Sequence, residues 1–187
     1  MRRKKFVVTA VIGAFALLIL CAWKNPLAWW RYHGDGKLSD SGFFSYPRYQ
    51  IAFPDVPLDR PNEHQFRVSG LPINRMQLLL VPKGKQLPEW KDARSHELED
   101  LTIEAILQDD NGSVACHWTG HPATLGQYDD SWNLPSRDTS TLESDCGYTL
   151  VDLHDTYTLV IRVVVAGTDY HDTSVMPILR GGGLDAI

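Results

Sequence analysis

Two histidines four residues apart, His117 and His121, with Asp129 and Asp130 downstream, are this sequence's nearest approach to a metal-ligand set. On a helix that spacing would put both imidazoles on one face. Gly120 and Pro122 forbid the helix, and no third ligand stands at a recognisable zinc spacing. Two other histidines neighbour carboxylates, in His154-Asp155 and Tyr170-His171-Asp172. A hydrolytic triad would also need a nucleophile on a sharp turn. Ser131, Ser136, Ser140 and Ser144 share one long irregular stretch, yet none sits in a Gly-x-Ser-x-Gly elbow. The acidic clusters lack the alternating spacing of a calcium loop. Gly181-Gly182-Gly183 lacks the lysine and following helix of a phosphate loop. The sequence therefore predicts no catalytic residue, no cofactor site and no metal site.

Cysteine offers the clearest chemistry. Of the three cysteines, Cys21 falls in an apolar N-terminal run, leaving Cys116 and Cys146 as an even pair. In an oxidising compartment such a pair joins. In the chain-entropy view the bond would contribute roughly 3–4 kcal/mol. The pair brackets Thr119 to Ser144, rich in Gly, Pro, Ser, Thr and Asp, which reads as the longest irregular segment. Long ordered loops often carry function. Tyr128 and Trp132 are residue types that anchor interfaces, and Asp129 and Asp130 could steer a basic partner. These four are the partner-binding candidates.

The elements that must hold this loop have a period of two. Tyr49, Ile51 and Phe53 alternate with polar or small residues, as do Phe66 and Val68, Leu101 to Leu107, Val114 to Trp118, and Tyr157 to Val165. Such alternation marks half-buried antiparallel strands. Met76 to Val81 is nearly continuous and reads as a central strand. Tyr148 to Leu153 is weaker, and Pro177 demotes Val175 to Leu179 to an edge. Asp109-Asp110-Asn111-Gly112 joins two alternating runs, and Asn-Gly signals a hairpin because both residues tolerate positive φ; with Ser113 it is also a formal glycosylation acceptor. The fold class expected is an all-β, antiparallel, immunoglobulin-like β-sandwich preceded by one transmembrane helix. Asp155-Thr156-Tyr157 resembles the tyrosine corner of Greek-key sandwiches, where a tyrosine opening a late strand hydrogen-bonds back to the backbone.

Four basic residues, Arg2 to Lys5, precede the uncharged run Phe6 to Trp23. Its 18 residues span about 27 Å as a helix, enough for the hydrocarbon core. Leu20 and Pro26 spoil the small-residue spacing for cleavage, and Leu20 also breaks a lipoprotein box before Cys21. Trp23, Trp29, Trp30 and Tyr32 read as an interfacial aromatic belt. An uncleaved span is expected, oriented by its cytosolic charges. All 23 acidic residues follow Trp23, whereas four of the 18 basic ones precede it. So acidic a translocated part excludes a nucleic-acid binder. The predicted division is a cytosolic segment 1–5, an anchor 6–23, a juxtamembrane linker 24–42, an extracytoplasmic sandwich 43–180 and a flexible C-terminus 181–187. The expected location is the inner membrane of a bacterial envelope, with the domain in the periplasm. The expected role is an envelope accessory or immunity-type module that binds a protein partner. The competing readings are an enzyme or metal binder built on residues 119–144, and a carbohydrate or cell-wall binder using Trp90, Trp118 or Trp132.

Overall fold

Two antiparallel sheets pack face to face with the alternating apolar residues between them. The structure, a computed structural model, describes residues 13, 30–41, 48–83, 101–121, 126–128, 131–133, 146, 149–166 and 172–182. Its strands are β1 (His33–Gly34), β2 (Lys37–Ser41), β3 (Arg48–Ala52), β4 (Val56–Pro57), β5 (Asn62–Ser69), β6 (Arg75–Lys83) and β7 (Thr102–Asp109). They continue with β8 (Val114–Gly120), β9 (Gly126–Tyr128), β10 (Ser131–Asn133), β11 (Thr149–Leu150), β12 (Thr156–Val165) and β13 (Ser174–Gly182). Sheet A runs β1-β5-β12-β7-β8. Sheet B runs β2-β3-β13-β6-β10-β9, with β4 beside β13 and β11 beside β6.

Period two sorts each strand. Tyr157, Leu159, Ile161 and Val163 of β12 point inward with Phe66 and Val68 of β5 and Ile103, Ala105 and Leu107 of β7. Tyr49 and Ile51 of β3, Met76, Leu78 and Leu80 of β6, and Val175 and Leu179 of β13 meet them from the other sheet. Burial of this apolar layer is the main source of stability.

The two-sheet all-β architecture agrees with the sequence; the strand order corrects it. Immunoglobulin sandwiches keep their first two strands adjacent in one sheet. Here β3, β5, β6 and β7 alternate between sheets, and the orders β3-β13-β6-β10 and β5-β12-β7-β8 are those of a jelly roll. Alternation specifies only which face is buried, so it reads the same in either topology.

Pro177 also departs from expectation, because β13 lies at the centre of sheet B between β3 and β6. The Pro177 carbonyl accepts from the Phe53 amide at 3.0 Å, at the break between β3 and β4. A strand residue directs its N–H and C=O to the same side. The missing donor therefore points at that break, where no ladder needs it.

Part of the expected linker belongs to the domain. β1 joins β5 and β2 joins β3. Tyr32 packs on the core, and its hydroxyl donates to the Gly36 carbonyl at 2.8 Å. Asp35 accepts from the Arg67 amide through its carboxylate and donates its own N–H to the Arg67 carbonyl. Gly70, at φ 62°, lies against Arg31 so closely that a Cβ would meet the Arg31 carbonyl oxygen at 1.9 Å. At the other end, Gly181 and Gly182 continue β13. The segment 6–23, expected as an anchor, lies outside the described residues except for Gly13, which is helical. Among the described residues no helix is long and apolar enough to cross a membrane.

The tyrosine-corner resemblance holds in its defining bond: the Tyr157 hydroxyl accepts from the Asp152 amide at 2.7 Å. Burial holds the phenol above its ordinary pKa against that bond, and the charges of Asp155, Asp152 and Asp109 push the same way. Replacing Tyr157 with Phe strips the Asp152 N–H of its acceptor. The fold should lose about 1 kcal/mol, read as a lower midpoint in urea unfolding followed by circular dichroism. An unchanged midpoint would show that the bond contributes nothing.

Candidate functional site

Cys116, buried on β8 of sheet A, is joined to buried Cys146, with Cα atoms 5.0 Å apart. Cys146 runs beside sheet B, where its carbonyl accepts from the Leu78 amide at 2.9 Å. The strip then continues along β6: Thr149 opposes Met76, Leu150 opposes Arg75, and the Val151 amide donates to the Asn74 carbonyl at 2.8 Å. The disulfide therefore closes the open side of the sandwich by tying the outer strand of one sheet to a strip on the other.

Beside this staple opens a cleft of about 740 Å³. Ser113, Val114 and Ala115 form one wall and Thr149 and Leu150 the other, with Arg75, Asp109 and Tyr157 completing the lining. Two apolar side chains stand unusually far out in solvent here: Leu150 is 74% and Val114 55% exposed. Two polar groups of the lining are engaged locally. The Asp109 carboxylate accepts from the amides of Asn111 and Ser113 at 2.9 and 2.7 Å, while Tyr157 holds Asp152.

The β7–β8 connection is the hairpin turn that Asn111-Gly112 signals. The Gly112 amide donates to the Asp109 carbonyl at 3.0 Å, and Gly112 takes positive φ (81°) where Asn111 does not. This is a type I turn followed by a left-handed glycine. The Asp109 side chain selects it by binding the two turn amides.

A second polar feature crosses the outer face of sheet A. His117 on β8 pairs with Glu104 on β7 at 3.0 Å; Glu104 pairs with Arg162 on β12; Arg162 pairs with Glu63 on β5 at 2.7 Å; and the Gln65 side chain donates to Glu63 at 2.7 Å. The Gln65 bond, then Arg162, holds the Glu63 carboxyl below its usual range, and the Glu63 bonds and Glu104 charge raise Arg162. Each charge is answered within the row. Such exposed pairs fasten strands only modestly.

The sequence candidates separate in space. His117 joins the row, whereas His121 donates from Nδ1 to the Leu101 carbonyl at 3.0 Å. Among the described residues no group of three or more His, Cys, Asp or Glu could hold a metal ion. The His154 amide donates to Asp152 as part of the turn before β12. Trp118 is a buried core residue, and Trp90 lies outside the described residues. The stretch read as loop contains the hairpin β9–β10, paired to β6. Tyr128 stands opposite Ser131, while Trp132 stands opposite Gln127 and, on β6, opposite the core residue Leu80. Asp129 and Asp130 lie outside the described residues. Sequence reasoning missed the cleft because its two walls come from residues 113–115 and 149–150, and it saw neither as unusual.

No protein-family model and no curated protein matches the chain.

Removing the staple by a Cys116→Ala, Cys146→Ala double replacement should lower stability by roughly 3–4 kcal/mol, measured by urea unfolding; a loss below 1 kcal/mol would mean that β6 holds the strip unaided. A second prediction concerns pH. Burial, opposed by the Gly36 bond and reinforced by Asp35, lifts the Tyr32 phenol from 10.0 to about 12. A folded pKa raised above the unfolded one stabilises fully below pH 10.0, and that contribution disappears as pH rises towards 12. Thermal melting across this window should fall less steeply for Tyr32→Phe than for the natural chain; identical alkaline slopes would contradict the assignment.

Proposed function

We propose that the chain is a membrane-tethered, extracytoplasmic recognition module that binds a protein partner through the stapled cleft. The observation that carries this reading is the pair of outlying apolar side chains, Leu150 and Val114, on facing walls of that cleft. Apolar groups held in water at the mouth of a concavity gain most when a partner covers them. The disulfide and the β6 ladder fix both walls, so binding orders little and loses little entropy.

The tether supports the same surface. The chain enters the sandwich at Arg31, packed on Gly70. His33 pairs with Ser69, Ser69 with Thr156, and Tyr157 with Asp109, so the entry point and the cleft share one end of the molecule. With residues 6–23 as anchor, residues 24–30 reach at most about 25 Å even when extended. The cleft is then held near the membrane, where a partner in or on the inner membrane would meet it. A disulfide suits the oxidising side of that membrane.

The full chain, expressed with its N-terminal segment and cross-linked in membranes, should capture a reproducible protein set. Leu150→Asp and Val114→Asp should each remove that set while urea unfolding and circular dichroism stay unchanged. The double variant Tyr128→Ala, Trp132→Ala tests the hairpin instead. Loss in the hairpin variant with retention in both cleft variants would move recognition to β9–β10 and refute the cleft.

A further inference from the structure

We infer that Asn111 is a site of spontaneous deamidation on the rim of the cleft, and that Asp109 sets its rate. Asn111 is exposed and precedes a glycine that lies in open space, with nothing within 4 Å of where a Cβ would stand. Without a side chain at the following residue, the peptide nitrogen can approach the asparagine amide carbon. The Gly112 nitrogen, having lost its proton, attacks Cγ of Asn111. The new N–Cγ bond forms as the Cγ–Nδ2 bond breaks, and Nδ2 leaves as ammonia with that proton. Water then opens the cyclic imide at either carbonyl, leaving aspartate or its β-linked isomer.

Three hydrogen bonds oppose this approach, and all end on Asp109. The Gly112 amide, which supplies the nucleophile, donates to the Asp109 carbonyl at 3.0 Å. The amides of Asn111 and Ser113, on either side, donate to one oxygen of the Asp109 carboxylate at 2.9 and 2.7 Å. Asp110 adds outside support, its amide bonded to the Thr156 carbonyl and its carboxylate to Arg67 at 2.9 Å. Attack needs the Gly112 nitrogen turned away from the Asp109 carbonyl, so the turn must open first. Loss of the carboxylate removes two of the three restraints and leaves the backbone one.

The site matters because of its neighbours. Asp109, Ser113 and Val114 line the cleft on both sides of the turn. Conversion adds a negative charge beside Asp109 and Asp110. The β-linked product also lengthens the main chain inside a turn whose bonds fix the Ser113–Ala115 wall. Older molecules would thus present an altered rim.

The test is peptide mapping by mass spectrometry of the full chain, held at mildly alkaline pH in native buffer and in concentrated urea. Electron-based fragmentation distinguishes the β-linked product, and Asn62 and Asn74, which precede no glycine, serve as internal references. Conversion at Asn111 should proceed in the native chain, but more slowly than in urea. Asp109→Ala should accelerate it roughly fivefold in native buffer, the factor given by about one hydrogen bond of turn stability. Asp109→Asn keeps an oxygen acceptor and should remain near the natural rate. Equal native rates for the natural chain and Asp109→Ala, no conversion in native Asp109→Ala, or a native rate equal to that in urea would each overturn the inference.

Discussion

β12 sits between β5 and β7, and β13 between β3 and β6, so neither sheet has a centre until this C-terminal pair is in place. The core then depends on contacts between distant parts of the chain. Arg162 of β12 meets Glu63 of β5 across 99 residues. Pairing of this kind incurs loop-closure entropy before apolar burial offsets it, which makes folding slow and cooperative. Two local devices help the central strands take their register. Tyr157 hooks the start of β12 to the preceding turn through Asp152. The carbonyl of Pro177 holds Phe53 where β3 gives way to β4, so a residue unsuited to a central strand occupies the one place where its missing donor is not needed.

With the centres fixed, what remains open is the flank. β6 is covered by β10 over Leu79 and Leu80 and by β11 over Arg75 and Met76, with the Cys146 carbonyl bonded between them. The disulfide carries that strip across to β8 in the other sheet. A gap is left below it with one wall from each sheet. This arrangement explains why the cleft has exposed apolar residues, Val114 and Leu150, on walls from different sheets. It also explains why the charged row on sheet A is a weaker functional candidate: its charges are spent on one another across strands β8, β7, β12 and β5.

The strands were legible because half-buried antiparallel strands alternate, and β5, β7, β8 and β12 do so clearly. The disulfide partners were legible by elimination, and the tyrosine corner by its place before the longest alternating run. Other features left no local trace. Strand order is a property of connections, so alternation could not separate a jelly roll from an immunoglobulin sandwich. β1 and β2 lie among Gly34, Asp35, Gly36 and Ser39, coil-forming residues that are held by Arg67 and Gly70 far along the chain. The hairpin β9–β10 is hidden in turn-rich sequence and is stabilised by β6 rather than by its own propensity. Glu104 and Arg162 stand 58 residues apart, and only register brings them together. The cleft walls meet for the same reason.

Native-state amide hydrogen exchange on the full chain, with and without reductant, tests this dependence most directly. Amides of β12 and β13 should form the slowest class and exchange together, through global unfolding, because removing either strand dissolves a sheet. Reduction should speed exchange first at 113–116 and 149–151 while that slowest class remains the last to open. If β12 or β13 exchanged ahead of β5, β6 and β7, or if reduction left the cleft walls as protected as before, the central strands and the staple would not be the constraints on which this structure rests.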